Sequence, residues 1–421
     1  MRQVREFPEA YGPRRLEGQR SDGRRIIAWE RTYRFLTPLF GGGVEPKRAD
    51  PVSVVRATEV RGQLRFWWRA VRGWQAGGCL ERLWALEAAL FGSAGEGGAS
   101  PLQVEVEVLE AGQEKDVFVD VPGKNFPRAR PEVAHPYLAF PLQRTRQDPH
   151  NYPVRVGVRF RLHLAFPKEV AVPQDEGQKP LLLDAEGELE AALWAWETFG
   201  GLGARTRRGF GAFLPEGERE PEEQEIRERL SRYVQGTVWP EGVPHLTPKS
   251  LLGVFPLSWR EVAEAYRSFR QMRREGRERK HPGRSFWPEP DEVRRLTRRH
   301  APRHAPQHPV RKFPRGQLGL PIIFHFKDEG DPSDSTLKPA EGDRLASPLL
   351  TRPLGERATL VAVLEGPRVP PGGVVLEAAG KTHRVRVDLT PEEAKGIKPL
   401  SGETDPIRAF LKYLREQGGE R

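Results

Sequence analysis

An alternating run of apolar and polar positions extends from Ile26 to Phe40. Trp29 and Tyr33 fall on one face of this run and Glu30 on the other. A period of two residues predicts a β-strand with one buried face. The run ends in Thr37-Pro38-Leu39-Phe40 and three glycines, which predicts a turn that leaves the sheet.

Helical spacing replaces this alternation between Thr58 and Gly73. The apolar positions that carry it are Val60, Leu64, Trp67, Trp68 and Val71. The pattern then predicts, in chain order, a helix at Leu80–Phe91, strands at Leu102–Leu109 and Val154–Phe166, a helix at Glu186–Phe199 and a strand at Phe210–Leu214. The order β-α-β-β-α-β is the ferredoxin-like plan, which RNA-recognition modules share. A proline-rich insertion around Pro122–Tyr152 interrupts it, and we interpret this insertion as a functional protrusion.

Seven glutamates between Pro215 and Arg229 mark a change of composition. We interpret this segment as a solvated boundary, which predicts a first domain at 1–215, an acidic linker at 216–243 and a second domain at 244–421. For the second domain we expect strands at Leu251–Leu257, Leu318–Lys327, Ala358–Glu365, Val374–Ala378 and His383–Leu389, with helices from Ser258, from Pro288 and at Asp405–Glu416. The predicted fold class is therefore α+β, with two ferredoxin-like domains and long loop insertions.

Five glycines and three arginines lie in the short segment that follows the helix ending at Phe199. Its candidate binding residues are Gly201, Gly203, Arg205, Arg207, Arg208 and Gly209. Glycines permit positive φ, consecutive N–H groups can form a nest for an anion, and arginine forks match phosphate. The segment therefore indicates a polyphosphate ligand, and its place between a helix and a strand suits an RNA backbone. A flexible hairpin with solvated arginines is the alternative.

Two nucleotide-binding motifs are excluded at this loop. A P-loop needs a lysine followed by serine or threonine in a fixed register, and the loop has neither in that register. A dinucleotide fingerprint follows the first strand of a βαβ unit, whereas this loop follows a helix.

The predicted helix at Thr58–Gly73 carries a second group of arginines. Arg61, Arg65 and Arg69 share one face at a spacing of four residues. Since neighbours on a helix are about 100° apart, we expect one of the adjacent Trp67 and Trp68 to face the core and the other to lie near these arginines. Aromatic rings flanked by arginines can stack bases and pair with phosphates. A packed helix with a solvated arginine stripe is the alternative.

The formal net charge of +10 and the pI of about 9.8 favour a polyanionic partner. Abundant charge and proline with few cysteines and methionines also fit a thermophile, and we expect both explanations to hold. Cys79, as the one cysteine, excludes a disulfide framework and a cysteine zinc site. With no apolar run at the start and none of membrane-spanning length, we expect a soluble cytoplasmic protein that has no membrane partner.

Several motifs together resemble the RAMP superfamily. They are Leu36-Thr37-Pro38-Leu39-Phe40-Gly41-Gly42, Arg61-Gly62-Gln63-Leu64-Arg65-Phe66-Trp67-Trp68-Arg69-Ala70, Leu90-Phe91-Gly92-Ser93 and the run from Gly200 to Gly211. In the second half, Arg284–Asp291, Leu318–Ile322 and Arg344–Leu349 add to the likeness. Within the superfamily the chain resembles the first-numbered Cmr subunit of type III-B CRISPR effector complexes, from about Ala28 to Pro353.

The resemblance implies a subunit without catalytic activity that functions in antiviral defence. It places the subunit where the 3′ region of the guide RNA and its target lie. Its partners would be CRISPR RNA, target RNA and the other Cmr subunits, and it implies no cofactor.

An enzymatic role requires a different use of the histidines. His300, His304 and His308 have a spacing that can hold a metal, but prolines interrupt the segment and no glutamate lies between them to act as a base. We therefore predict no metal site and interpret Arg298, Arg299 and Arg303 as part of a basic loop against phosphate. A metal-independent RAMP-type endoribonuclease that uses one histidine remains the alternative function.

Overall fold

The computed structural model describes residues 12–19, 23–94, 98–174, 178–276 and 283–418. The strands are β1 Arg14–Gln19, β2 Arg25–Phe35, β3 Gln103–Asp116, β4 Phe118–Val119, β5 Arg128–Ala129, β6 Pro153–Pro167, β7 Glu169–Val172, β8 Leu181–Asp184, β9 Phe213–Pro215, β10 Leu252–Phe255, β11 Ile322–Phe324, β12 Ser335–Pro339, β13 Leu349–Pro353, β14 Thr359–Val363, β15 Val374–Ala378 and β16 Lys381–Val385. The helices are α1 Ala57–Arg72, α2 Leu80–Phe91, α3 Pro136–Ala139, α4 Ala185–Phe199, α5 Glu223–Tyr233, α6 Trp259–Arg270, α7 Glu289–Thr297, α8 Pro391–Lys395 and α9 Pro406–Gly418.

The main sheet of the first unit is antiparallel, with β2 and β6 at its centre. β3 pairs with the outer edge of β6, while β9 and β1 pair with different parts of the other edge of β2. Along the chain, β2-α1-β3-β6-α4-β9 follows the predicted β-α-β-β-α-β order, and in space the strands lie in the order β9-β2-β6-β3.

Aromatic side chains fill the side of this sheet that α1 and α4 cover. Tyr33 stacks on Phe160 at a centroid distance of 5.0 Å, and Trp196 of α4 meets Phe213 at 4.5 Å. All four side chains are at most 1 % exposed. The predicted alternation in the first strand is confirmed, because Trp29 and Tyr33 are buried on this face.

Both tryptophans of α1 are buried, so the expectation that only one faces the core is wrong. Trp67 stacks on Phe199 of α4 at 5.8 Å, whereas Trp68 lies edge-on to Phe91 of α2 at 6.3 Å. The Trp68 indole N–H donates to Glu188 at 2.8 Å. Because α1 packs against two helices, two positions about 100° apart both find a partner.

The compact units have other bounds than the predicted domains. The first unit continues through Arg260 and includes Leu350–Glu365, and the second comprises Glu261–Leu349 and Gly366 onward. The segment predicted as an acidic linker contains α5, which buries Ile226, Leu230 and Tyr233. β10 pairs with β14 rather than joining the second sheet, because its apolar residues belong to the core of the first unit.

The second unit contains a four-stranded antiparallel sheet in the order β11-β12-β15-β16. Its strands lie in chain order, and the second ferredoxin-like domain stays a prediction. Val293, Phe313, Leu337 and Leu376 are buried in its core. A separate aromatic group joins α6 to α9, where Tyr266 meets Phe410 at 5.1 Å. Within the described part of the chain, every helix is too short or too polar to cross a bilayer.

Candidate nucleic-acid interface

The glycine–arginine loop, residues 200–212, is fixed against the segment that follows β2. The Thr37 hydroxyl donates to the carbonyl of Gly209 at 2.6 Å and accepts from the N–H of Ala212 at 2.9 Å. The N–H of Ala204 donates to the carbonyl of Phe40 at 2.6 Å. A loop held at this many points is a rigid scaffold, so the flexible-hairpin alternative does not describe it.

Two of the predicted glycines are required by the close approach of other atoms. Gly203 has φ +79°, and a Cβ there would lie 2.6 Å from the carbonyl oxygen of Phe40. Gly209 has φ +81° and lies directly against the indole of Trp259. Gly201 is buried near the carbonyl of Gly211. The glycines therefore shape the loop and let it pack.

Most backbone N–H groups of the predicted anion nest already donate hydrogen bonds within the protein. The N–H groups of Gly200, Leu202, Ala204, Arg208, Gly209 and Gly211 donate to backbone carbonyls. The N–H of Gly203 donates to the carboxylate of Glu59, a half-buried side chain on α1. Burial raises the pKa of Glu59 above its ordinary value, although this hydrogen bond and Arg56 lower it. Few N–H groups of the loop are therefore left for an anion, and its arginine side chains are the remaining donors.

Two loop arginines lie over aromatic rings. The Arg205 guanidinium is 5.0 Å from the ring centroid of Phe140, and that of Arg207 is 5.8 Å from the centroid of Phe66 on α1. Burial, and next the charge of Arg208, lowers the pKa of Arg207 below its ordinary value. A partly desolvated cation beside a second cation is stabilised when an anion approaches.

Arg208 joins the loop to other parts of the first unit through its backbone. Its carbonyl accepts from the indole N–H of Trp259 at 2.8 Å. The neighbouring carbonyl of Arg207 accepts from the N–H of Thr351 at 3.1 Å. These contacts fix the backbone from which Arg207 and Arg208 project.

The arginine stripe of α1 has a different environment. Arg65 and Arg69 donate to the two carboxylate oxygens of Glu87 on α2, at 2.6 and 2.7 Å. The Glu87 side chain is only 5 % exposed. Arg61 donates to the carbonyl of Leu102 at 3.3 Å. The stripe therefore connects α1 to its neighbours, and the face of α1 that meets the loop carries Glu59 and Phe66 instead.

The open face of the main sheet is covered by ion pairs. Pairs that cross between its strands include Arg159–Glu110 at 2.6 Å, Arg161–Glu107 at 2.9 Å and Arg155–Glu114 at 2.9 Å. His163 Nδ1 also lies 3.5 Å from the carboxylate of Glu30. RNA-recognition modules stack bases on aromatic side chains at this face. Here the outward positions of β2, β3 and β6 are mainly charged or polar, so the sheet does not offer such a surface.

In the second unit, the predicted basic loop follows α7. Arg298 and Arg299 are exposed, and Arg303 pairs with Asp328 at 2.7 Å. The backbone of Arg298 is left-handed, with φ +54°, where it ends α7. The loop thus presents cations to solvent at all three predicted positions, and one of the three also pairs with an acid.

The three histidines of that loop have separate partners. His304 Nδ1 lies 2.8 Å from Asp331 and 3.2 Å from Asp328, whereas His308 Nδ1 accepts from the N–H of Val310 at 3.2 Å. His304, Asp328 and Asp331 are close enough to hold a cation together. Burial raises the pKa of Asp331, but hydrogen bonds from Arg294 and from the N–H of Ala301 outweigh it, and this pKa lies well below its ordinary value. With arginines on both carboxylates, the group is a charge-balanced network.

The RAMP superfamily model matches residues 32–213, which span β2 through the start of β9 and include the glycine–arginine loop. This part of the chain is therefore similar to the RAMP superfamily. The superfamily resemblance predicted from the motifs is confirmed over these residues. Among curated proteins, none matches this chain significantly.

Three solved structures show similarity at low sequence identity. The apo crystal structure of Cmr1 from Pyrococcus furiosus is 18 % identical with a TM-score of 0.44, covering 81 % of this chain and 88 % of that one. A cryo-EM structure of the type III-B Cmr-beta bound to cognate target RNA gives 12 % identity and a TM-score of 0.46. A second, with AMPPnP and in the presence of ssDNA, gives 13 % and 0.43. Each of these two covers 93 % of this chain and 99 % of the matched chain.

Three residues of this region were not found by sequence reasoning. Glu59 and Glu87 look like ordinary helix-surface acids, and only the tertiary structure shows that each is directed at a specific partner. Phe140 lies in the proline-rich insertion, where the sequence predicts a protrusion without indicating which side chain it presents.

Proposed function

We propose that this chain is a non-catalytic RNA-binding subunit of a type III-B CRISPR effector complex in antiviral defence. It contacts the 3′ region of the guide RNA, the target RNA or both, and assembles with the other Cmr subunits. The observation that carries the proposal is the rigid RAMP loop that holds Arg205 and Arg207 over aromatic rings. The motif resemblance and the net charge of +10 support it.

The first unit is, on this proposal, a ferredoxin-like RAMP domain. Its strand order β9-β2-β6-β3 with two helices on one face supports this assignment. Because ion pairs cover the open sheet face, the RNA lies along the loop side instead.

At the loop, arginine forks bind the phosphates. A guanidinium contacts an aromatic ring through its face and a phosphate through its N–H edge, so both contacts can exist together. The glycines keep the backbone compact enough for Arg205, Arg207 and Arg208 to project from one short segment. In the second unit, exposed Arg298 and Arg299 supply a further phosphate contact.

The test is the salt dependence of binding to single-stranded RNA. Each lost phosphate contact lowers the slope of log K against log salt by about 0.7 on a single strand, so Arg207→Ala with Arg208→Ala lowers it by up to ~1.4. Fluorescence anisotropy with labelled RNA from low to physiological salt measures it. We expect the thermal midpoint to change little.

A variant with Arg229→Ala and Arg232→Ala on α5 is the matched control, since it removes the same charge elsewhere in the first unit. Equal slope losses in both variants would show a diffuse charge effect and contradict the site. RNA cleavage that disappears with His304→Ala would contradict the non-catalytic role. A wild-type chain that elutes apart from the other Cmr subunits in the presence of guide RNA would contradict the assembly.

A further inference from the structure

Phe140 is an apolar side chain that a rigid segment holds in solvent. It is 59 % exposed, although its neighbours Leu138, Ala139 and Leu142 are at most 3 % exposed. The segment is hydrogen-bonded on both sides, with the N–H of Ala139 donating to the His135 carbonyl and the N–H of Tyr152 donating to the Leu142 carbonyl. The exposure of the ring is therefore a property of a fixed backbone and does not come from a loose loop.

The insertion that carries Phe140 is anchored to the segment after β2. Lys47 pairs with Asp148 at 2.5 Å and lies 4.8 Å from the ring centroid of Tyr152. The segment after β2 also holds the glycine–arginine loop. The insertion and the loop thus share one support, which fixes the position of Phe140 relative to the loop.

The ring of Phe140 faces the candidate phosphate site. The Arg205 guanidinium is 5.0 Å from its centroid, and Arg205 has a left-handed backbone with φ +59°. A non-glycine residue in this conformation is uncommon and marks a position that its surroundings fix. One contact of the ring is thus with an arginine of the proposed phosphate site, while more than half of the surface of Phe140 remains in water.

We propose that Phe140 stacks an unpaired base of single-stranded RNA whose backbone is bound by the loop arginines. This inference rests on the proposed function and adds the residue that recognises the base. Exposed aromatic side chains beside cations are the sites on which single strands stack, because every base offers a π face. The ligand is an unpaired nucleotide, and the stacking contact tolerates any base.

The experiment compares Phe140→Ala with wild type on labelled oligo(A) RNA and on a ribose-phosphate oligomer of the same length without bases. Loss of one stacked base weakens binding about 5- to 150-fold. We expect this loss on oligo(A), no loss on the abasic oligomer, and an unchanged salt slope, because no phosphate contact is removed. Phe140→Trp should bind like wild type and show tryptophan quenching on oligo(A).

Phe126→Ala is the matched control, since Phe126 is 77 % exposed in the same insertion. Wild-type affinity in Phe140→Ala, or an equal loss on the abasic oligomer, would overturn the stacking role. If Phe140→Ala binds RNA normally but no longer co-elutes with the other Cmr subunits, the ring contacts protein and the inference is wrong. If the wild-type protein does not bind RNA, that result would instead contradict the proposed function itself.

Discussion

Two groups of arginines in the first unit have the same composition and different environments. On α1, Arg65 and Arg69 are directed at the buried carboxylate of Glu87. In the loop, Arg205 and Arg207 lie over the rings of Phe140 and Phe66. A guanidinium that pairs with a buried acid cannot be removed without leaving that acid unpaired, whereas one that lies on a ring can still use its N–H edge for phosphate.

The difference teaches that arginine spacing alone does not identify a nucleic-acid surface. A stripe at i, i+4 and i+8 looks the same whether it faces phosphate or a carboxylate from the next helix. The two cases differ in the group that the arginines face. Glu87 faces the arginines of α1 only because α2 packs against α1. The predictions below test this separation, beginning with the largest effect.

Removal of both stripe arginines should destabilise the protein strongly. Arg65→Ala with Arg69→Ala leaves Glu87 buried without its ion-pair partners, which costs about 3–5 kcal/mol in the free energy of unfolding. Chemical denaturation measures the loss. Where the double variant remains folded, the salt slope of RNA binding should equal that of wild type.

A triple variant that adds Glu87→Gln is the control for this prediction. It removes the uncompensated charge and should recover part of the lost stability. If the double variant keeps its stability and binds RNA with a reduced salt slope, the stripe is a phosphate site and the comparison between the two arginine groups fails.

The next largest effect concerns the backbone of the loop. Gly203→Ala introduces a Cβ 2.6 Å from the Phe40 carbonyl at a φ of +79°. The left-handed backbone alone costs about 1–3 kcal/mol, and the clash adds to it. We expect lower stability in denaturation together with weaker RNA binding, because Arg205 is two residues away.

Gly217→Ala separates these two costs. Gly217 has φ +83°, and a Cβ there meets open space. It therefore reports the backbone cost without the clash. Equal losses of stability in the two variants would show that the close packing of the loop against Phe40 contributes little.

The sequence predicts local elements of this chain better than their assembly. The bounds of α2, Leu80–Phe91, agree with the prediction to the residue, and α1 and α4 begin within one residue of it. Such bounds follow from periodicity and from helix-terminating glycines, which are local signals. The pairing of β10 with β14 joins residues over one hundred positions apart, and no local pattern records it.

The same limit applies to the candidate site. Glycines and arginines in one short segment identify the loop, because backbone freedom and phosphate chemistry are properties of residue type. The sequence does not show where the N–H groups of the loop donate, because several of their acceptors are carbonyls outside the short motif or the carboxylate of Glu59. Phe140 stands out only because the fold leaves its ring exposed beside Arg205.

The smallest expected effect is at Glu59, whose carboxylate accepts a hydrogen bond from the N–H of Gly203 in the loop. Burial raises the pKa of Glu59, so protonation of this carboxyl stabilises the folded state relative to the unfolded state. That contribution is complete below the ordinary carboxyl pKa and is lost as the pH rises through the raised pKa.

The variant Glu59→Gln accepts the same hydrogen bond without a charge, so its stability at neutral pH should stay within about 1 kcal/mol of wild type. Its stability should also vary less with pH from about pH 4.5 upward, and removal of a negative charge beside the loop should tighten RNA binding slightly. Denaturation at several pH values checks this, with the exposed Glu45→Gln as control; a loss of RNA binding in Glu59→Gln would mean that the ionised carboxylate is needed to hold the loop.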